Sequence, residues 1–217
     1  MVATGTPRRA LLALAFLGCA TAPASSRHAL PPPAGDGRVG SRYQRAADPA
    51  PASVAEGSRP EIRRALDAAE SLVGKKAVVV DGRDYGSDCS ALVRAAFDHA
   101  GHPLPPAARD ARSLHLVAER RGSIHSALHC APGDVMFLAD RPGGSPAHVG
   151  LVARVDPDGT ATVLYRLARG VERVRVNLGY PTRIADPATG RRLNDTLAVG
   201  STAVPAGSLV VDVASLL

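Results

Sequence analysis

Beyond residue 60 the apolar positions follow a helical period first and a strand period afterwards. Ile62, Ala65, Leu66, Ala69, Leu72 and Val73 recur three or four apart, behind a Pro60-Glu61 start and ahead of Gly74, which predicts a first helix. Ala77–Val80 reads as a short strand and Asp81–Ser87 as a polar loop. A second helix opens at Asp88-Cys89-Ser90, carries its apolar stripe on Leu92, Val93, Ala96 and Phe97, and is stopped by Gly101 and Pro103. After the turn Leu104-Pro105-Pro106, a third helix is predicted over Ala108–Arg120, with Leu114 and Val117 inward.

Val135–Leu138, Ala147–Val155 and Thr160–Leu167 then read as strands, with turns at Pro132-Gly133-Asp134 and Asp156–Gly159. Val171–Val176 alternates valine with charge, so it is a strand with one wet face. Asp186–Gly190 is a further turn, and Ser208–Val213 is a last strand available to close the sheet. Helices first and antiparallel strands afterwards predict an α+β fold, and no internal repeat interrupts it.

The first 60 residues have no such periodicity. Arg8 and Arg9 precede the apolar run Ala10–Leu17, the order of a secretory signal peptide, and residues 1–18 are assigned to it. Two processing readings stand. Leu17-Gly18-Cys19 resembles a lipobox, with Phe16 where that motif usually has Leu, and makes Cys19 the lipidated first residue. Alternatively, Ala22-Pro23-Ala24 is an A-x-A site that releases a soluble secreted or periplasmic chain. Residues 19–60, rich in Pro, Ala, Ser and Gly, read as a tether, and 61–217 as the folded domain. The first reading predicts an envelope protein attached to the membrane only through its N-terminal lipid.

Composition narrows the partners. Among 217 residues, 26 are Lys or Arg and 20 are Asp or Glu, giving a formal charge of +6. The basic residues are nearly all Arg, scattered in runs no longer than two, and Trp is absent. Nucleic-acid recognition needs a basic patch, and for single strands interleaved aromatics, so no nucleic-acid partner is expected. A monomer is expected.

Cys89 falls at the first position of a helix capped by Asp88. There the backbone N–H groups and helix dipole favour a thiolate and offer a place for an oxyanion. A small buried core cysteine is the alternative. A nucleophilic thiol needs a base. Among seven histidines, His148 begins a glycine-containing strand after a Gly-Gly-Ser-Pro loop, where catalytic groups are commonly presented. His125, His129 and Cys130 invite a metal, but no second ligand cluster completes the set, so no metal or other cofactor is expected. Cys130 is expected to be free and partly buried beside the Gly133 turn, too far from Cys89 to bond.

Asp88-Cys89-Ser90-Ala91-Leu92-Val93 resembles the D-C-[ST]-G-L-V motif of the NlpC-type cell-wall cysteine peptidases. It also resembles that of the related CHAP (cysteine, histidine-dependent amidohydrolase/peptidase) enzymes. Pro132–Phe137 is similar to their G-D-L-V-F-F strand, Ala147–Val152 to their H-V-G-I-Y strand, and Leu104-Pro105-Pro106 to their L-P-R turn. The resemblance spans roughly residues 66–180. It implies a papain-like fold, N-terminal helices packed on an antiparallel sheet, and hydrolysis of amide bonds in peptidoglycan stem peptides. Cys89 would be the nucleophile and His148 the general base, with Asp88, Ser90 and the loop residue Tyr85 supporting the oxyanion site. A non-catalytic wall-binding lipoprotein that keeps the fold is the alternative.

The family carries an orienting group, usually His, on the strand after the histidine strand. If Asp156–Gly159 closes a four-residue turn, Val155 opposes Thr160 and Gly150 opposes Tyr165. Directly opposed residues share a face, as do residues two apart, so Tyr165 lies diagonally beside His148. A phenol accepts a bond from the imidazole N–H but supports imidazolium poorly, which predicts a slow enzyme. Packing over Gly150 is the other reading of Tyr165, with Asn177 and Asp195 next in line as orienters.

Overall fold

The computed structural model describes residues 59–217. The predicted signal peptide, Cys19 and all but the last two residues of the tether lie outside the described residues. In chain order the elements are α1 (Pro60–Glu70), β1 (Val79–Val80), β2 (Arg83–Asp84), α2 (Cys89–His99), α3 (Ala111–Arg120), β3 (Ile124–His125) and β4 (Val135–Ala139). There follow β5 (Pro146–Val155), β6 (Thr160–Leu167), β7 (Gly170–Asn177), β8 (Thr196–Val199), β9 (Thr202–Pro205) and β10 (Val210–Ala214). Six strands form one antiparallel sheet in the order β3-β10-β4-β5-β6-β7. This is the α+β architecture that the change of period predicts.

Both faces of the sheet are covered. On one face, Leu66 of α1, Leu92 and Phe97 of α2 and Leu114 of α3 pack on Phe137, Val149, Leu151 and Leu164. On the other, Met136, Leu138, Val152, Val163 and Val176 meet Leu197, Ala206 and Leu209. Residues beyond Asn177 therefore build the second cover. A fully buried Leu or Phe contributes about 1.5–3 kcal/mol, so both layers matter to stability.

Several boundaries differ from the sequence reading. The first helix ends at Glu70 rather than Gly74, though Leu72 stays fully buried in the turn that follows. The third starts at Ala111 rather than Ala108. Asp110 caps it by accepting from the Ser113 N–H at 2.8 Å, and Ser113 Oγ accepts from the Asp110 N–H in return. The last strand does not close the sheet at an edge. It inserts between β3 and β4, a non-local pairing that no local pattern announces.

The β5–β6 register carries a correction that cancels. At the turn, Val155 opposes Ala161, not Thr160. A β-bulge between Val152 and Arg154 absorbs the extra residue, and Gly150 opposes Tyr165 as the hairpin reading predicts.

Candidate active site

Asp88 sets up the start of α2. Its Oδ1 accepts from the Ala91 N–H at 2.9 Å, and its Oδ2 takes a 3.1 Å ion pair from Arg94. Ser90, fully buried, donates between Asp88 Oδ1 and the Arg109 carbonyl. These bonds hold the first turn of α2 still, with Cys89 as its first residue.

The Cys89 sulfur lies against β5. It is 4.0 Å from the Ala147 carbonyl oxygen and accepts from the Val149 N–H. Those two residues flank His148. β5 pairs with β6 only from Gly150 onward, so this part of its edge has no strand partner on the β6 side. Sheet pairing thus stops one residue pair short of the catalytic candidates, and the sulfur fills the opening.

His148 opposes Leu138 across the β4–β5 ladder and lies on the face away from the helices. Tyr165 stands on the same face. The two rings meet edge to face, 6.1 Å between centroids at 70°. The phenol is buried, and its pKa is pushed up first by that burial and then by the neighbouring Cys89 charge. Cys89, His148 and Tyr165 thus gather at one opening between β5 and β6.

Electrostatics departs from the helix-start expectation. Burial pushes the Cys89 thiol above its ordinary 9.0, and the Asp88 charge adds to the rise; N–H groups of Val149, Cys89 and Ser90 pull the other way and do not win. Burial also holds His148 below its ordinary 6.5, opposed by the charge of Asp140. Without substrate, thiol and imidazole are both neutral at pH 7.

Other sequence candidates fall elsewhere. The Tyr85 hydroxyl donates to Asp98 at 3.0 Å, and Arg83 stacks on its ring at 4.8 Å. Asp98 is nine residues along α2 from Cys89, about 13 Å, so this phenol faces away from the oxyanion position. Asn177 is committed to Thr160 and the Asp158 carbonyl, and Asp195 to Arg175 and Arg192. Both lie at the end of the sheet remote from His148. Cys130 is a free, half-buried thiol, as is Cys89, and burial with the nearby Asp134 charge raises it to about 11.

Asp140 is the residue that the sequence reading missed. It lies two positions beyond Leu138, the partner of His148, on the loop leaving β4. The β4–β5 register shifts just after Leu138, so strand alternation does not place Asp140; what ties it to His148 is its charge, which acts on the imidazole.

The model of a family described as NlpC/P60 family matches residues 74–183, just over half of the chain. No curated protein matches the chain. Among solved structures, an NlpC/P60 family protein from Bacillus cereus is similar at 22% identity, covering 64% of this chain and 42% of its own, with a TM-score of 0.41. NlpC1 from Trichomonas vaginalis is similar at 21% identity over 54% of this chain and 39% of its own, TM-score 0.39. Ly7917 is similar at 17% identity over 71% of this chain and 62% of its own, TM-score 0.40. The chain spans about two fifths of the length of the first two.

Proposed function

The chain belongs to the NlpC/P60 family, and from that membership we propose that it is a cysteine hydrolase of the cell envelope that cleaves amide bonds in peptidoglycan stem peptides. The observation that carries the reading is the Cys89 sulfur at the start of α2, laid against the backbone on either side of His148. His148 takes the thiol proton as sulfur attacks the amide carbon. N–H groups at the start of α2 hold the oxyanion that forms. The imidazolium then gives its proton to the leaving amine, and a thioester remains. Water, deprotonated by His148, releases the acid and restores the thiol.

Asp140 supports the imidazolium through its charge, and the Tyr165 ring holds the imidazole plane. Because the Tyr165–His148 contact is between ring faces and edges, the ring outweighs the hydroxyl. Tyr165→Phe is expected to keep kcat/KM within about threefold of the parent, whereas Tyr165→Ala should lose about 100-fold. A loss in Tyr165→Phe as large as in Tyr165→Ala would assign the role to the hydroxyl instead.

Neutral thiol and imidazole also set a reactivity profile. Labelling of Cys89 by iodoacetamide should be slow at pH 7 and climb about tenfold per pH unit through pH 8, because only thiolate reacts. Fast labelling at pH 6 would show a thiolate–imidazolium pair at rest. The raised thiol also favours a second reading, wall binding without hydrolysis. Incubation with purified sacculi decides: release of peptide fragments, read by mass spectrometry, supports the hydrolase, and retention on sacculi with no release supports the binder. Envelope anchoring through Cys19 belongs to the same proposal. Labelled palmitate is expected in the mature protein, and its absence would favour cleavage after Ala24.

A further inference from the structure

Far from Cys89, at the opposite end of β5, a pocket of about 290 Å³ is lined by four arginines (Arg154, Arg175, Arg191 and Arg192), two threonines (Thr160 and Thr162) and Asp156. Five residues of strand separate Val149 from Arg154, about 17 Å. The bulge at the β5–β6 hairpin builds this pocket. In the register that holds at Gly150, Arg154 would oppose Ala161 and point into the apolar layer around Val152 and Val163. The bulge moves it opposite Thr162, which opposes Arg175 in turn, so two guanidiniums flank a buried threonine across three strands.

Carboxylates hold the arginines in place, Asp156 from within the lining itself. Arg191 is pinned to Asp156 at 2.9 Å and Asp158 at 3.2 Å. Asp195 Oδ1 receives Arg175 at 3.3 Å and Arg192 at 3.1 Å. Arg154 Nε is 2.9 Å from Asp156 Oδ1, yet its N–H is not aligned with that oxygen and the atom is buried without a hydrogen bond. A buried donor on a cation without an aligned acceptor is costly, and the Asp156 carboxylate beside it supplies the compensating charge. With Asp158 and Asp195 counted, the described residues place four arginines beside three carboxylates.

We propose that this pocket is a binding site for a phosphate group, carried on a phosphodiester polymer or on a small phosphate ester. Guanidiniums approach from β5, from β7 and from the 183–195 segment. A tetrahedral oxyanion offers oxygens in all three directions, whereas a planar carboxylate matches one guanidinium fork. The site is separate from the Cys89 opening and stands whether or not that opening hydrolyses amides.

Calorimetric titration of the purified protein at matched ionic strength tests this, with inorganic phosphate, a glycerol phosphate oligomer and acetate as probes. Both phosphate probes are expected to bind and acetate is not. Arg154→Gln should weaken phosphate at least tenfold, about 1.4 kcal/mol, while Cys89→Ala leaves it unchanged. If Arg154→Gln fails to fold by circular dichroism, Arg192→Gln on the outer segment is expected to give the same loss. An oligomer that binds tenfold tighter than phosphate identifies a polymer as the source, and equal binding identifies a small ester. The proposal is overturned if neither phosphate probe binds, if acetate binds as tightly, or if the folded arginine variants bind like the parent.

Discussion

Cys89→Ala is expected to end peptide release from sacculi while leaving the fold intact. The thiol is the group that would form the acyl-enzyme, so its loss removes the covalent route entirely. A fall in kcat/KM on the order of 10⁴-fold or more is expected. Stability should change by less than about 1 kcal/mol, because the side chain is only half-buried and the Asp88 cap bonds to Ala91, not to Cys89. His148→Gln should cost a similar factor, and the double variant little more than either, since the two residues act as one unit. Fragment analysis by mass spectrometry and thermal unfolding of the same samples check both halves. Undiminished release by Cys89→Ala would remove the cysteine mechanism altogether.

Gly150→Ala is the second large effect, and it acts through the strand that carries His148. A Cβ at position 150 would stand 2.6 Å from Val163 Cγ1, 2.9 Å from the Leu164 carbonyl oxygen and 3.3 Å from the Tyr165 ring. The carbonyl belongs to the neighbouring strand and cannot rotate away, so β5 and β6 must separate. They would separate at the last residue pair before the opening that holds Cys89. Overpacking of this kind costs about 2–3 kcal/mol, and for a domain of this size lowers Tm by about 5–10 °C. The same shift moves His148 relative to the sulfur, and kcat/KM should fall at least tenfold below the parent at temperatures where the variant is still folded. A variant that unfolds and turns over like the parent would mean that the β5–β6 spacing has no part in positioning the base.

These two residues show which parts of the site local sequence rules reach. Asp88, Cys89 and Ser90 sit where capping rules put them, because an N-cap bond joins residues three apart and depends on nothing more distant. The helices and strands follow their periods for the same reason. Even the pairing of Gly150 with Tyr165 is legible, since a hairpin register counts outward from its turn.

What required the tertiary structure is everything set by partners far along the chain. The bulge before Arg154 slips the turn end by one residue and creates the arginine pocket, while β10 enters the sheet between β3 and β4. The Tyr85 hydroxyl goes to Asp98 because β1, β2 and α2 meet there, and Asp140 comes beside His148 only through the β4–β5 pairing. The charge state of Cys89 belongs to this class too. The helix start, visible in sequence, favours thiolate, but packing against β5 removes water from the sulfur, and that desolvation outweighs the nearby N–H groups. Sequence determined which groups stand at the opening, through short-range hydrogen bonds and periodicity. The fold alone decided their solvation and their neighbours, because both depend on chain segments that periodicity does not connect.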